Sequence, residues 1–243
     1  MAVTAALGLL SSPAAMAQPS CEILPNTLTT LKKPSEGARI LWSLDAGDRN
    51  LTDRMVSGMV DRADTNVIAA GERFYAEGDN IGLTLRKIDS QGRSVWDTII
   101  NNRDFQKVIE ILPLEKGFAV LANQGGRHVK AGAWLGFFDG EGKLLNEVKI
   151  AAPAGALAAT AIIPLNNAKS FWLAGQVKDG SEAPYSVLYR LDRKGQVSTR
   201  KAYRFGPENA LLSIAIAKGG SLYGGGYIMD AKNRRNAWLA RFG

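Results

Sequence analysis

The fold is decided by four related stretches: LTLRKID (83–89), AWLGFFD (133–139), SVLYRLD (186–192) and AWLARFG (237–243). Their last residues are separated by 50, 53 and 51 positions. A second series keeps steps of 52, 52 and 51: VIAAG ending at Gly71, AVLAN at Asn123, FWLAG at Gly175 and LYGGG at Gly226. Because two independent landmarks share one period, the chain consists of repeats about fifty residues long.

Each repeat has the sequence features of four short β-strands. Three corners place Asp first and Gly fourth, which favours a type I turn: Asp89–Gly92, Asp139–Gly142 and Asp192–Gly195. Between the corners and other polar turns lie short runs rich in β-branched and aromatic residues, as strands require. No window keeps a 3.6-residue apolar period, so the sequence predicts an all-β protein.

Four-stranded units with this spacing are typical of β-propeller blades. We expect about four four-stranded blades, in units 37–89, 90–139, 140–192 and 193–243, which form a closed four-bladed ring or a fragment of a larger propeller. Because each blade is covered on both faces, its recurring apolar positions should be core. These positions include Leu85, Leu135, Leu188, Leu239 and the tryptophans Trp42, Trp96, Trp134, Trp172 and Trp238.

The N-terminal segment has the features of an export signal. Residues 1–17 carry no charge and end in Ala15-Met16-Ala17, the small-x-small pattern that signal peptidase accepts. Residues 18–36, with three prolines, predict an extended leader. No stretch reaches the roughly 20 apolar residues that a membrane-spanning helix needs. We therefore expect a periplasmic or secreted protein without a transmembrane segment.

The first corner carries a family resemblance. The pattern Asp89-x-x-Gly92-Arg93-x-x-Trp96, with a glycine-flanked third strand and a Trp-Leu fourth strand, resembles secreted bacterial β-propeller repeats. The nearest groups are the pyrroloquinoline-quinone-type repeat and related periplasmic propeller repeats. The resemblance covers about 37–243 and implies a propeller fold in the cell envelope. It does not imply a bound quinone, because the Trp and Gly positions of those repeats serve packing.

The residues that catalysis or metal binding usually requires are scarce. The chain has one histidine, His128, and one cysteine, and it lacks a G-x-S-x-G nucleophile motif. One cysteine excludes an internal disulfide framework and a cysteine metal cluster. Each Asp-x-x-Gly corner offers a single carboxylate, whereas a calcium loop presents several oxygens. We therefore expect no catalytic residue, no metal and no cofactor.

Charge and loop position indicate where a partner would bind. The formal net charge is +7, and residues 193–243 hold ten Lys or Arg against Glu208 and Asp230. A basic surface attracts anionic partners, and the export signal argues against nucleic acid. The loops 72–82, 124–132, 176–185 and 227–236 should share one face. Their candidate binding residues are Arg73, Tyr75, Arg127, His128, Lys130, Lys178, Tyr185, Lys232, Arg234 and Arg235.

The sequence leaves three functional hypotheses open. The first is a non-enzymatic binding or scaffold module whose partner is a protein or an anionic envelope ligand. The second is an enzyme built on a propeller, either a hydrolase or a quinone-dependent dehydrogenase. The third is an N-terminal fragment of a larger propeller protein. A fold by itself does not choose among them.

Overall fold

The protein is all-β, as the sequence predicts. The computed structural model describes residues 52–74, 81–125, 130–180 and 182–242. These ranges hold 14 strands, and no helix occurs within them. Accordingly, they contain no helix long and apolar enough to cross a membrane. The expected signal peptide (1–17), the expected leader (18–36) and Trp42 lie outside the described residues.

The strands form four successive antiparallel groups, which we call sheets 1 to 4. Sheet 1 contains β1 (Thr52–Val60), β2 (Val67–Phe74), β3 (Ile81–Ile88) and residues 94–100 of β4 (Ser94–Pro113). Sheet 2 contains residues 107–113 of β4, β5 (Phe118–Gln124), β6 (Gly132–Phe138) and β7 (Leu144–Ile150). Since β4 is continuous, sheets 1 and 2 share one seven-stranded ladder.

The second half of the chain repeats this arrangement. Sheet 3 contains β8 (Ala156–Leu165), β9 (Ser170–Lys178), β10 (Tyr185–Asp192) and β11 (Val197–Tyr203). Sheet 4 contains β12 (Asn209–Ile216), β13 (Leu222–Met229) and β14 (Arg235–Phe242). Sheets 1 to 3 therefore have four strands each, and sheet 4 has three within the described residues.

The sheets are offset by one strand from the sequence repeats. Each Asp-x-x-Gly corner joins the third strand of a sheet to its fourth strand, as in the Asp139 corner between β6 and β7. The expected units 90–139 and 140–192 begin at such corners. Each unit therefore starts with the outer strand of the preceding sheet. The corners were expected at the boundaries of the blades, and the structure places them inside.

Consecutive sheets pack face to face through three apolar cores. Because neighbouring side chains on a strand point to opposite faces, Phe118 and Val120 of β5 pack toward sheet 1, while Ala119 and Leu121 pack toward sheet 3. A third core joins sheets 3 and 4 around Leu188. Burying both faces of the middle strands is the main source of stability for such a stack.

The first strands of the four sheets are neighbours. The amide of Ile111 in β4 donates to Ser57 Oγ in β1 at 3.2 Å. The Thr160 hydroxyl of β8 donates to the carbonyl of Leu211 in β12. In addition, Asn123 of β5 exchanges two hydrogen bonds of 3.0 and 2.8 Å with the backbone of Ala159 in β8. Four-stranded sheets packed in sequence with their first strands adjacent have a β-propeller architecture.

Among the described residues, the predicted core positions are buried or half-buried except at one. Leu85, Leu135 and Leu188 are fully buried, and each packs against the following sheet. The expectation is wrong for Leu239, which is 76% exposed. Its strand belongs to the last sheet, and no described residue covers that sheet's outer face. Of the predicted core tryptophans, Trp134 is fully buried, and Trp96, Trp172 and Trp238 pack half-buried at the cores.

Trp96 couples two sheets at a corner. Its indole N–H donates to the carbonyl of Gly140 at 3.2 Å, in the corner of the next sheet. Gly142 in that corner has φ +77°, and a Cβ on it would lie 2.8 Å from the Trp96 ring. Glycine is required there for its backbone angle and for the approach of the ring. Gly142 and Trp96 therefore serve the packing of one sheet against the next.

Candidate functional site

The topology separates the connections between strands onto two faces. We call the face that carries the connections after the second and fourth strands the loop face, and the opposite one the corner face. On the loop face lie 179–184, between β9 and β10, and 204–208, between β11 and β12. The corner face carries the Asp-x-x-Gly corners and the hairpin turns between first and second strands. The loops of the loop face are shorter than expected because the strands extend farther.

The candidate binding residues are spread over the loop face rather than gathered at one point. Lys130 is exposed before β6, Lys178 is the exposed last residue of β9, and Tyr185 begins β10. Arg73 lies in β2 and binds the Asp53 carboxylate through two hydrogen bonds of 2.7 Å. The candidates Tyr75, Arg127 and His128 lie outside the described residues.

The connection with Lys232 and Arg234 is a tight turn, not the long loop that was expected. The Asp230 amide donates to the carbonyl of Arg234 at 3.0 Å, and Asn233 (φ 59°) takes the place of the corner glycine. Arg234 Nε also donates to Asp230 Oδ2 at 2.8 Å. Arg93 binds Asp89 in the same way in the first corner. Arg234 therefore supports its own turn.

Two connections bring aromatic, acidic and basic groups together in one cleft. The cleft has a volume of about 280 Å³ and is lined by Glu182, Tyr185, Arg204, Pro184, Pro207 and Asn209. The Arg204 guanidinium carbon lies 3.6 Å from the centroid of the Tyr185 ring. Arg204 also pairs with Glu182 at 2.9 Å. Both charged side chains are more than half exposed, at 53% and 61%.

A second aromatic–arginine pair lies beside the cleft, at the same end of sheet 4. The Arg235 guanidinium carbon is 4.5 Å from the centroid of the Tyr227 ring. The Tyr227 hydroxyl donates to the Glu208 carboxylate, and this hydrogen bond raises the pKa of Tyr227 above its usual value. Gln176 Nε2 donates to the carbonyl of Asn209 at 2.9 Å, which ties sheet 3 to sheet 4 under the cleft.

Sequence reasoning selects two residues of this cluster and misses the rest. Tyr185 and Arg235 are among the candidates, whereas Glu182, Arg204, Glu208 and Tyr227 are not selected as binding residues. The sequence feature that could have identified this cluster is the connection Phe205-Gly206-Pro207, which comes just after the outer strand of sheet 3. It becomes meaningful only once the offset between repeats and sheets is known, because it joins one sheet to the next on the loop face.

The basic residues of the last repeat do not form one surface. Arg200 and Lys201 lie on the outer strand β11, Lys218 lies on the corner face, and Arg241 lies in β14. Only part of the excess charge is therefore near the cleft. The described residues hold no group of three or more His, Cys, Asp or Glu that could bind a metal.

One carboxylate is half-buried on a first strand. Glu110 lies in the second half of β4 and accepts a hydrogen bond from the backbone amide of Ile162. Burial nevertheless raises the pKa of Glu110 above its usual value. Enzymes use carboxylates with a raised pKa for acid–base chemistry, but carboxylates with a purely structural role can have a raised pKa as well.

Comparisons with known proteins give structural neighbours alone. No protein-family model matches the chain, and no curated protein matches it. A subtype N10 neuraminidase-like protein of A/little yellow-shouldered bat/Guatemala/060/2010 is 11% identical, with a TM-score of 0.47 over 77% of this chain and 59% of that one. A neuraminidase-like protein from A/bat/Guatemala/164/2009 is 10% identical, with a TM-score of 0.47 over 76% and 53%.

A third neighbour is an ACO/RPE65 chimera. It is 10% identical, with a TM-score of 0.41 over 76% of this chain and 50% of that one. The chain thus spans between half and three fifths of the length of these neighbours. The β-propeller architecture is inferred from the pairing and packing of the strands, not from these neighbours.

Proposed function

We propose that the protein is an envelope binding module that recognises an acidic ligand on its loop face. The observation that carries this proposal is the stacking of Arg204 on Tyr185 at 3.6 Å within an open cleft. A guanidinium that is stacked on a ring is held flat, with its N–H edge directed outward. Such an edge recognises a carboxylate or phosphate through two parallel hydrogen bonds.

Glu182 occupies the place that a ligand carboxylate would take. Its pair with Arg204 is more than half exposed on both sides, and exposed pairs contribute little to stability, about 0–1 kcal/mol. A ligand can therefore displace Glu182 at small cost and retain the stacked guanidinium. Pro184 and Pro207, which also line the cleft, offer apolar surface to a sugar or peptide backbone attached to that acid. An acidic polysaccharide has this combination of groups.

Titration calorimetry with polygalacturonate, with neutral dextran as the comparison, tests the proposal. Arg204→Gln should weaken binding about tenfold, since one charge-assisted contact contributes about 1.4 kcal/mol or more. Glu182→Gln should strengthen binding, because it removes the competing carboxylate.

Arg200→Gln provides the matched control. Arg200 lies over the Tyr189 ring at 5.9 Å, on the outer strand of the same sheet and away from the cleft. This variant removes the same charge and a similar stack. If it weakens binding as much as Arg204→Gln, the attraction is general and the cleft is not the site. Binding of dextran as tightly as polygalacturonate would also contradict the proposal.

Export to the periplasm or beyond is the second part of the proposal, and it rests on residues 1–17. Expression of the whole chain in a bacterial host should give a periplasmic product that starts at Gln18. Mass spectrometry of the intact product checks this directly. A cytosolic product that retains residues 1–17 would contradict it.

A further inference from the structure

The hairpin turns between the first and second strands of the four sheets share a feature that the proposed function does not use. Each turn carries one basic residue: Arg62 in sheet 1, Lys116 in sheet 2, Lys169 in sheet 3 and Lys218 in sheet 4. Since the first strands lie side by side, the turns that follow them meet on the corner face. A basic residue therefore occurs in this turn of every sheet.

Turns from three sheets enclose two adjoining depressions at this position. One, of about 450 Å³, is lined by Arg62 of sheet 1, Glu115 of sheet 2 and Asn167 of sheet 3. The other, of about 310 Å³, is lined by Lys116, Lys169 and Arg193 together with the same Glu115 and Asn167. Because they share two residues, we treat them as one site and call it the turn depression. Its size suits a small ligand.

The charges of the turn depression are predominantly positive and mostly unpaired. Arg62, Lys116 and Lys169 are exposed, and none forms an ion pair with a carboxylate in the described part of the chain. Arg193 is held in place, since its Nε donates to the carbonyl of Ala168 at 2.8 Å. Glu115 is the one acidic residue of this lining. Asp61, Asp64 and Glu141 line an adjoining depression that shares Arg62, Glu115 and Lys116, and both aspartates there pair with Lys87. Cations of one sign around a concave surface raise the local concentration of anions.

The backbone of the third turn is an independent observation at the same place. Asn166, Asn167 and Ala168 are consecutive left-handed residues, with φ values of 49°, 54° and 59°. Asparagine tolerates this conformation, whereas it is unfavourable for Ala168. The turns of sheets 2 and 4 use Gly117 and Gly220 at positive φ instead. Strained backbone is concentrated at binding sites, and this segment brings Asn167, a side-chain amide donor, to both parts of the depression.

We propose that the turn depression binds a compact anion with several phosphate groups. Four basic side chains and one amide can satisfy two or three phosphates, whereas a single phosphate would leave most of them unpaired. This site is on the corner face, so it is separate from the cleft of Arg204, and the two proposals can be tested independently.

The experiment measures binding of inorganic tripolyphosphate by titration calorimetry, with inorganic phosphate for comparison. The variant Arg62→Gln/Lys116→Gln/Lys169→Gln removes three charges from the depression and should weaken tripolyphosphate binding about tenfold or more. The matched control Lys130→Gln/Lys178→Gln/Lys232→Gln removes three charges from the loop face and should change affinity less than twofold. Inorganic phosphate should bind much more weakly than tripolyphosphate.

A single backbone-compatible variant adds a test that net charge does not affect. Asn167→Gly accepts the left-handed conformation and removes the amide donor, so the protein should keep its thermal stability and lose affinity for tripolyphosphate. Vesicles of cardiolipin, whose headgroup carries two phosphates, compared with vesicles of phosphatidylcholine, identify the source of the phosphates. If the protein binds the cardiolipin vesicles and tripolyphosphate displaces it from them, the natural ligand is a lipid headgroup. If the protein binds tripolyphosphate and not the vesicles, the natural ligand is a free anion.

Two results would overturn the proposal. One is equal loss of affinity in the corner-face and loop-face triple variants, which would reduce the effect to net charge. The other is a native protein that binds neither tripolyphosphate nor cardiolipin vesicles. Both results leave the test of Arg204 with polygalacturonate unaffected.

Discussion

Thr65 is the residue at which the backbone is least suited to its side chain. It is exposed and β-branched, and its φ of 62° lies in the left-handed region, where such residues are outliers. Thr65→Asn should raise the free energy of unfolding by about 0.5–1 kcal/mol, because Asn tolerates this conformation far better. Chemical denaturation measures the change.

Thr65→Val is the control for this prediction. Valine has the same branching and nearly the same shape, so the backbone strain stays, and the hydrogen bond from the Thr65 hydroxyl to the carbonyl of Asp64 is lost. No stabilisation is expected from it. A Thr65→Asn protein that is no more stable than the Thr65→Val protein would show that the turn is not strained in solution.

Glu110 gives the clearest dependence of stability on pH. Burial raises its pKa in the folded state. Its favourable contribution is therefore present below the unfolded pKa, about 4.3, and is lost as the pH rises through the folded pKa. Glu110→Gln should raise the melting temperature at pH 7 and leave it nearly unchanged near pH 4. An equal gain at both pH values would contradict burial of the charged carboxylate as the cause.

The sequence predicts residue roles well where the role is local. The corner aspartates act within five residues, and Asp139 Oδ1 accepts the amides of Glu141 and Lys143 as a turn of this type requires. Arg204 is not predictable as a binding residue because its partner Tyr185 is nineteen positions away in the sequence. Nothing local distinguishes Arg204 from the other basic residues of the last repeat.

At the scale of elements, Asn123 joins sheets 2 and 3 through two side-chain hydrogen bonds inside their shared core. Its side chain is buried and satisfies both the amide and the carbonyl of Ala159. Asn123→Ala should lower the free energy of unfolding by about 3 kcal/mol, because two buried backbone groups lose their partners. Equilibrium unfolding in urea provides the value.

Asn209→Ala is a useful comparison at the next boundary. Asn209 is also buried, and its Oδ1 accepts the amide of Ser186 at 3.0 Å. Its Nδ2 also donates to the carbonyl of Phe205, but this bond is long, at 3.3 Å, and only part-buried, so a smaller loss is expected than for Asn123→Ala. If Asn123→Ala costs less than about 1 kcal/mol, the backbone of Ala159 finds other partners and Asn123 is not needed to hold sheets 2 and 3 together.

Most strands can be recognised from the sequence, and their grouping into sheets cannot. Runs of β-branched and aromatic residues predict the segments, whereas pairing depends on contacts far apart in the chain. β4 is the clearest case, because the repeat pattern assigns 94–100 and 107–113 to two strands of one unit. In the structure they belong to different sheets, and Asp89 to Gly92 is an internal corner.

At the scale of the whole molecule, burial decreases toward the last sheet. β5 and β6 are buried along their full length, whereas most of β14 is exposed or half-buried. In the described part of the chain each sheet contacts only its neighbours, and stability in arrays of this kind is a sum of local terms. Amides of β12 to β14 should exchange with deuterium faster than those of β5 and β6, as mass spectrometry of peptides will show.

Leu135→Ala and Leu222→Ala test the same gradient by mutation. Leu135 is fully buried in the large core between sheets 2 and 3, and Leu222 lies in the smaller core between sheets 3 and 4. We expect a loss of about 3–5 kcal/mol for Leu135→Ala and a smaller one for Leu222→Ala. Equal losses together with uniform exchange would mean that the four sheets unfold as one cooperative unit.

The offset between repeats and sheets has a consequence for how such a chain changes length. Sheets 1 to 3 each take three strands from one period and their outermost strand from the next. Deleting or duplicating about fifty-one residues, wherever the ends of that segment fall, therefore removes or adds one full blade and joins compatible ends. Genetic events with arbitrary breakpoints would then yield foldable products, and the number of blades could vary among descendants without any blade being left incomplete.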